Sequence, residues 1–188
     1  MDTSALHAVT ETFASYLSEL VPGDLSFATP CEGWDVGDLH RHMLEENVHF
    51  GRAVGGSDLT GAPSHGLDEE YRRTAAFMEH AFATVADATQ TRQVPGVPGP
   101  RTVQDLYEMQ LCDTVIHTWD LAHATGLPYA PEPQVARTVL RRMEAVPGSA
   151  RGPGRAFAEV PEQPGPATSA LGRILLLSGR AISDTDRR

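Results

Sequence analysis

Two stretches of the chain carry histidines and carboxylates at helical spacing: residues 34–50, WDVGDLHRHMLEENVHF, and residues 113–120, DTVIHTWD. Residues i and i+4 share one face of an α-helix, so Asp113 and His117 point the same way, with Asp120 one step further along. His42, Glu46 and His49 follow the same rule at i, i+4 and i+7. Two such stripes facing each other would offer two imidazoles and a carboxylate to one divalent ion and leave coordination positions open. An open position means ligand binding or chemistry, because a metal lowers the pKa of a bound water or thiol and makes a nucleophile available at neutral pH.

The residues around these three have several readings. Glu46, one turn beyond His42, is a fourth ligand, a base assisting proton movement, a partner that orients a ligand histidine, or a solvated carboxylate. His49 lies a further turn away and is expected to line a pocket or the surface. Asp120 is expected to accept a hydrogen bond from a neighbouring side chain, to cap an element or to join the metal ligands, and Trp34 and Trp119 to pack at the bundle end or core or to stack on a substrate. Cys31, in a loop near the start of the second helix, reads as a small packed residue or a reactive thiol, and Cys112, rotated by about 100° from Asp113, should not reach the ion. His7, His40, His65, His80 and His123 have no partner pattern and are expected at the surface. Walker, GxGxxG, GxSxG and HExxH signatures are absent.

The elements that must position these groups are helices. Leu6, Val9, Phe13, Leu17, Leu20 and Val21 mark an amphipathic helix over 4–21, stopped by Pro22-Gly23. Asp35, with Asp38 three residues on, caps a second helix that runs to Gly55-Gly56. A third runs from Asp68 to Ala88 with Tyr71, Ala75, Met78, Phe82 and Val85 on one side, and TRQVPGVPGPR then excludes helix. Thr102 or the residue beside it caps a long fourth helix that Gly126 ends, and Pro133 opens a fifth to Ala145. Residues 146–168 form a long Pro/Gly-rich loop with a short extended candidate at 156–160. Residues 169–179 make a short terminal helix, and 181–188 a frayed tail. Four long helices with few strand signals predict an all-α chain built as a helical bundle, one domain over 1–188.

Fifteen Lys and Arg against 25 Asp and Glu give a formal charge of −10, which argues against nucleic acid or an anionic membrane as partner. Two cysteines make no disulfide framework, and no leader or roughly 20-residue apolar span is evident, so the expected compartment is cytoplasmic. Exposed helix faces permit a homodimer without requiring one.

TPCEGWDVGDLHRHMLEEN at 29–47 resembles the Thr-Pro-Cys-x-Gly-Trp-x-Val-x-Asp-Leu-x-x-His segment of actinobacterial DinB-like proteins, the group that includes the N-terminal domain of mycothiol-dependent maleylpyruvate isomerase. DTVIHTWDLAHATG at 113–126 is similar to that group's carboxylate-x-x-x-His-x-Trp-Asp-Leu-Ala stretch, and LLLSGR at 175–180 to the closing segment of its single-domain members. The resemblance implies a DinB-like four-helix bundle that holds a divalent metal, zinc or nickel, near one end. Carried over by motif, the ligands are His42, Asp113 and His117, with Asp113 standing where the isomerase has glutamate. The isomerase also has a second domain for which 188 residues leave no room. The implied function is a metal-dependent step on a small molecule, either S-transfer or isomerisation with mycothiol as co-substrate and Glu46 moving the proton, or a related conversion in specialised metabolism. The alternative is a non-catalytic protein that binds or sequesters a small molecule.

Overall fold

The structure, a computed structural model, describes residues 1–61, 63–155, 157–160 and 169–182. Six α-helices are described: α1 Ser4–Ser18, α2 Val36–Ala53, α3 Leu67–Ala83, α4 Val103–Thr125, α5 Pro133–Glu144 and α6 Ala170–Leu177. Single 3-10 turns occur at Pro22–Ser26 and Gly148–Ala150. One two-residue antiparallel ladder pairs β1, Thr91–Arg92, with β2, Arg101–Thr102. The chain is all-α, as its periodicity predicts.

Local chemistry sets the ends of the two helices that matter most. Asp35 and Asp38 form a reciprocal capping box at the start of α2: the Asp38 amide donates to Asp35 Oδ1 (2.8 Å) and the Asp35 amide to Asp38 Oδ2 (3.3 Å). Thr102 and Asp105 do the same for α4, whose far end closes through Gly126 at φ +72°. Other helices stop short of their apolar patterns. α1 ends at Ser18 rather than at Val21, because Ser15 and Ser18 bond back to the carbonyls of Thr12 and Ser15 and so compete with the helical ladder. Val21 is left 60% exposed. α3 ends at Ala83 rather than at Ala88, and Asp87 then turns the chain by accepting from the amide and hydroxyl of Thr89.

α1 packs between α3 and α4, and α2 also packs between α3 and α4, so the four long helices form a closed bundle. α5 covers the outer side of α4, and α6 covers α5. α4 is therefore buried on nearly every side, from Val103 and Leu106 through Ile116 and Trp119 to Ala122. Two apolar clusters make the core. One gathers Leu6, Phe82, Leu106 and Val115, and the other Phe13, Leu39, Met43, Tyr71 and Leu121. Along α2 and α3 a polar step falls between them: buried Asn47 donates to Thr74 Oγ1 (3.1 Å) and accepts from Gln110 of α4 (3.4 Å).

Among its described residues, the expected loop over 146–168 contains the turn at Gly148–Ala150 and a bridge between Arg151 and Phe157. Residues 158–160 form no strand. Positions 156 and 161–168 of that stretch, and 183–188 of the expected tail, lie outside the described residues. Among the described residues, no helix is long and apolar enough to cross a membrane.

Candidate metal centre

His42, in the second turn of α2, and Asp113 and His117, one turn apart on α4, meet where the two helices pack together. Asp113 Oδ1 lies 3.7 Å from His42 Nε2 and 3.4 Å from His117 Nε2, and the imidazole centroids are 4.9 Å apart. These separations are long for hydrogen bonds between such groups. They match the spacing of about 3.4 Å expected between two ligands that each lie about 2.0–2.1 Å from one tetrahedral ion. Two buried atoms of this cluster, His42 Nε2 and Asp113 Oδ2, have no hydrogen-bond partner. A buried acceptor without a partner is costly, and a cation between the imidazoles would satisfy both. These three side chains therefore fit a divalent ion. Glu46 is not among the groups whose ligand atoms converge; it lines the adjoining cleft.

Charge at the cluster points the same way. Removal from water raises the Asp113 carboxyl, but His117 and then His42 outweigh that and hold it well below the usual carboxylate range. For His117, burial opposes protonation, while Asp113 and then Asp120 push its pKa well above the ordinary histidine value. The two carboxylates thus hold positive charge on His117 as a proton, a charge that a cation bound at Nε2 would replace.

His117 is held from behind. Its Nδ1–H donates to Asp120 Oδ2 (2.9 Å), an arrangement that fixes the tautomer with Nε2 facing Asp113. Asp120 is fully buried, and Arg180 grips both of its oxygens, Nε to Oδ1 at 3.2 Å and Nη2 to Oδ2 at 2.7 Å. Arg180 Nη2 also donates to Cys31 Sγ (2.9 Å), and that thiol in turn donates to Asp120 Oδ2 (3.4 Å). Cys31 is brought there by a folded loop in which Thr29 Oγ1 accepts from the Cys31 amide and donates to the Trp34 carbonyl. The same loop lays the Trp34 indole nearly parallel to His117, at 16° with centroids 6.0 Å apart, and against His42 at 4.9 Å.

The cluster opens into a cleft of about 720 Å³, walled by Trp34, Glu46, Phe50, Cys112, Arg142 and the segment around Phe157. Burial, followed by the charge of Asp113, raises the Glu46 carboxyl. His49 also lines the cleft and donates from Nε2 to the Pro95 carbonyl (3.1 Å), which ties α2 to the loop after β1. A neighbouring hollow of about 780 Å³ shares Glu46, His49 and Pro95 but contains none of the three convergent side chains.

Of the candidates read from the sequence, His42, Asp113 and His117 come together, Glu46 stands in the wall of the adjoining cleft, and Asp120 takes the hydrogen-bond acceptor role among those open to it. Sequence spacing did not find Arg180 or the contacts of Cys31. The available signal was the Ser-Gly-Arg step after an apolar run, which is how a helix ends on a left-handed glycine and turns the next side chain inward. His40, expected at the surface, is half-buried and donates to the Leu67 carbonyl (3.1 Å).

Comparison with known proteins places the chain in a family. The family described as mycothiol maleylpyruvate isomerase N-terminal domain matches residues 6–122, a stretch that holds Cys31, His42, Asp113, His117 and Asp120 but stops short of Arg180. Two uncharacterized proteins, from two strains of Mycobacterium tuberculosis, are each 31% identical over 159 residues, covering 83% of this chain and 84% of theirs. No solved structure matches. With more than half of its length matched, the chain belongs to the mycothiol maleylpyruvate isomerase N-terminal domain family.

Proposed function

We propose that the chain is an enzyme that holds one divalent metal, zinc or nickel, through His42, Asp113 and His117, and transfers or isomerises a small molecule with a low-molecular-weight thiol of the mycothiol type. The observation that carries the reading is the convergence of three ligand atoms with two orphaned buried polar atoms at the base of a cleft large enough for a substrate. When bound, such a metal supplies a lowered pKa to a coordinated thiol and so makes a thiolate available at neutral pH.

The protein's own groups do the rest. Asp120 holds the Nδ1 proton of His117 and keeps Nε2 turned to the cleft. Trp34 flanks both imidazoles and gives the cleft an apolar wall beside them. Glu46, four residues from His42 in the cleft wall and with its carboxyl raised by burial, is placed to take a proton from the incoming thiol and return it to product. Family membership supports the thiol; the residues themselves support the metal and the proton carrier.

The test is the metal content of wild-type, H42A and H117A protein purified without chelator. About one equivalent in wild type and a sharp loss in both variants is the expected result, and no metal even after reconstitution overturns the reading. Titrating the cobalt-substituted protein with a small thiol then tests the chemistry. A thiolate-to-cobalt charge-transfer band is expected, and its absence with mycothiol removes S-transfer while leaving the metal.

A further inference from the structure

We propose that Arg180 is a positioning residue for the metal centre, so that docking of the segment after α6 and metal affinity at His42, Asp113 and His117 are two readouts of one equilibrium. The inference rests on the metal-binding reading above and adds to it a part of the chain that the family match does not cover.

The geometry that carries it begins at the end of α6. Arg180 N donates to the Leu175 carbonyl (2.9 Å) and Gly179 N to the Leu176 carbonyl (3.0 Å), the paired bonds of a Schellman turn. Gly179 sits at φ +81°, and a Cβ there would stand 2.5 Å from Ala158 Cβ, so the turn tolerates only glycine. This turn is what aims the Arg180 side chain inward, where 11% of it stays exposed. Its guanidinium reaches a carboxylate 60 residues away in sequence and a thiol 149 residues away. Three separate pieces of chain thus close on one another: the loop bearing Cys31, α4 bearing Asp120, and the segment ending in Arg180.

A bidentate guanidinium fixes both oxygens of a carboxylate in one plane. With Asp120 gripped in this way, Oδ2 becomes a rigid acceptor for His117 Nδ1–H, and the direction of Nε2 follows. Without Arg180, buried Asp120 loses the guanidinium donors on both of its oxygens and keeps the His117 Nδ1–H and the Cys31 thiol, both on Oδ2, so the plane of the carboxylate is no longer fixed by a fork. Outer partners of this kind typically carry about 10–100-fold of metal affinity. Coupling is reciprocal, so an ion bound at Nε2 strengthens the docking of the segment by the same factor.

Zinc affinity is measured by competition with a chromophoric chelator on full-length wild type, R180A, R180K, G179A and R173A. R180A is expected to bind about 10–100-fold more weakly while keeping its helical signal. R180K keeps the charge but not the fork and stays closer to R180A than to wild type. G179A loses affinity although the guanidinium is intact, and R173A, which removes only the surface ion pair with Glu144, keeps it. On wild type alone, amide exchange in residues 174–180 is expected to slow when zinc is added, a readout that survives even if a variant fails to fold. Zinc binding in wild type with equal affinity in R180A, or unchanged exchange across the segment, overturns this inference alone. No zinc binding in wild type overturns the metal reading and this inference with it.

Discussion

The two cysteines border the same cleft and differ in what they can do. Cys112 is 3% exposed, and burial, followed by the nearby charge of Asp113, pushes its thiol up to about 12, so the reactive thiolate is absent at ordinary pH. Cys31 is half-buried, opens to the cleft and lies beside a guanidinium. A disulfide reagent such as DTNB at pH 8 is therefore expected to titrate one thiol in the native protein and the second only on unfolding, with C31S abolishing the native reaction. Rapid reaction of both thiols in wild type is the contrary result. Legibility at this scale follows from how each residue is delivered. His42, Glu46, Asp113 and His117 ride on helices, where spacing in sequence is spacing in space. Cys31 rides on a loop folded by Thr29, and Arg180 crosses 60 residues to reach Asp120, so no periodicity announces either.

Among the elements, a single carboxylate, Glu70, ties α3 to the connection that precedes it. Glu70 accepts from Arg73 Nε (2.9 Å) and from the Ser64 amide (2.8 Å), while Arg73 Nη1 donates to the Thr60 carbonyl (3.4 Å). The Arg73 hydrogen bonds lead in drawing the Glu70 carboxyl from its usual 4.5 down to about 2. A depressed carboxylate stabilises the fold fully above its unfolded pKa, and that contribution disappears as pH falls through the folded value. Wild type is thus expected to lose stability between about pH 5 and pH 2 more steeply than E70Q, which lacks the titrating group, as read from thermal midpoints across that window. Parallel curves would show that the contact is too solvated to matter. Helix starts at Asp35 and Thr102 were legible because each capping box is written within four residues. The ends of α1 and α3 were not, because hydroxyls at Ser15, Ser18 and Thr84 bond back to carbonyls of the preceding turn where the apolar pattern continues past them. The ladder of β1 and β2 was not legible either, since two residues carry no alternation.

For the molecule as a whole, the metal reading makes stability a function of free metal. A ligand that binds only the folded state at about 100 times its Kd contributes about 2.7 kcal/mol. At about 2–4 °C per kcal/mol for a chain of this size, chelation is expected to lower the thermal midpoint by about 5–11 °C. H117A should start low and not respond to chelator, and a wild-type midpoint indifferent to both zinc and chelator would speak against a folded-state site. The bundle itself was legible in four long periodic helices. That α1 and α2 would each lie between α3 and α4 was not, because an amphipathic stripe says which side is buried but not which neighbour buries it. One consequence reaches beyond energetics. The chain has two tryptophans, one of them Trp34, whose indole lies flat beside His117 and within 4.9 Å of His42. Whatever charge settles between those imidazoles, proton or metal ion, sits in the field of that excited-state dipole, so the centre carries its own optical indicator in its native light emission.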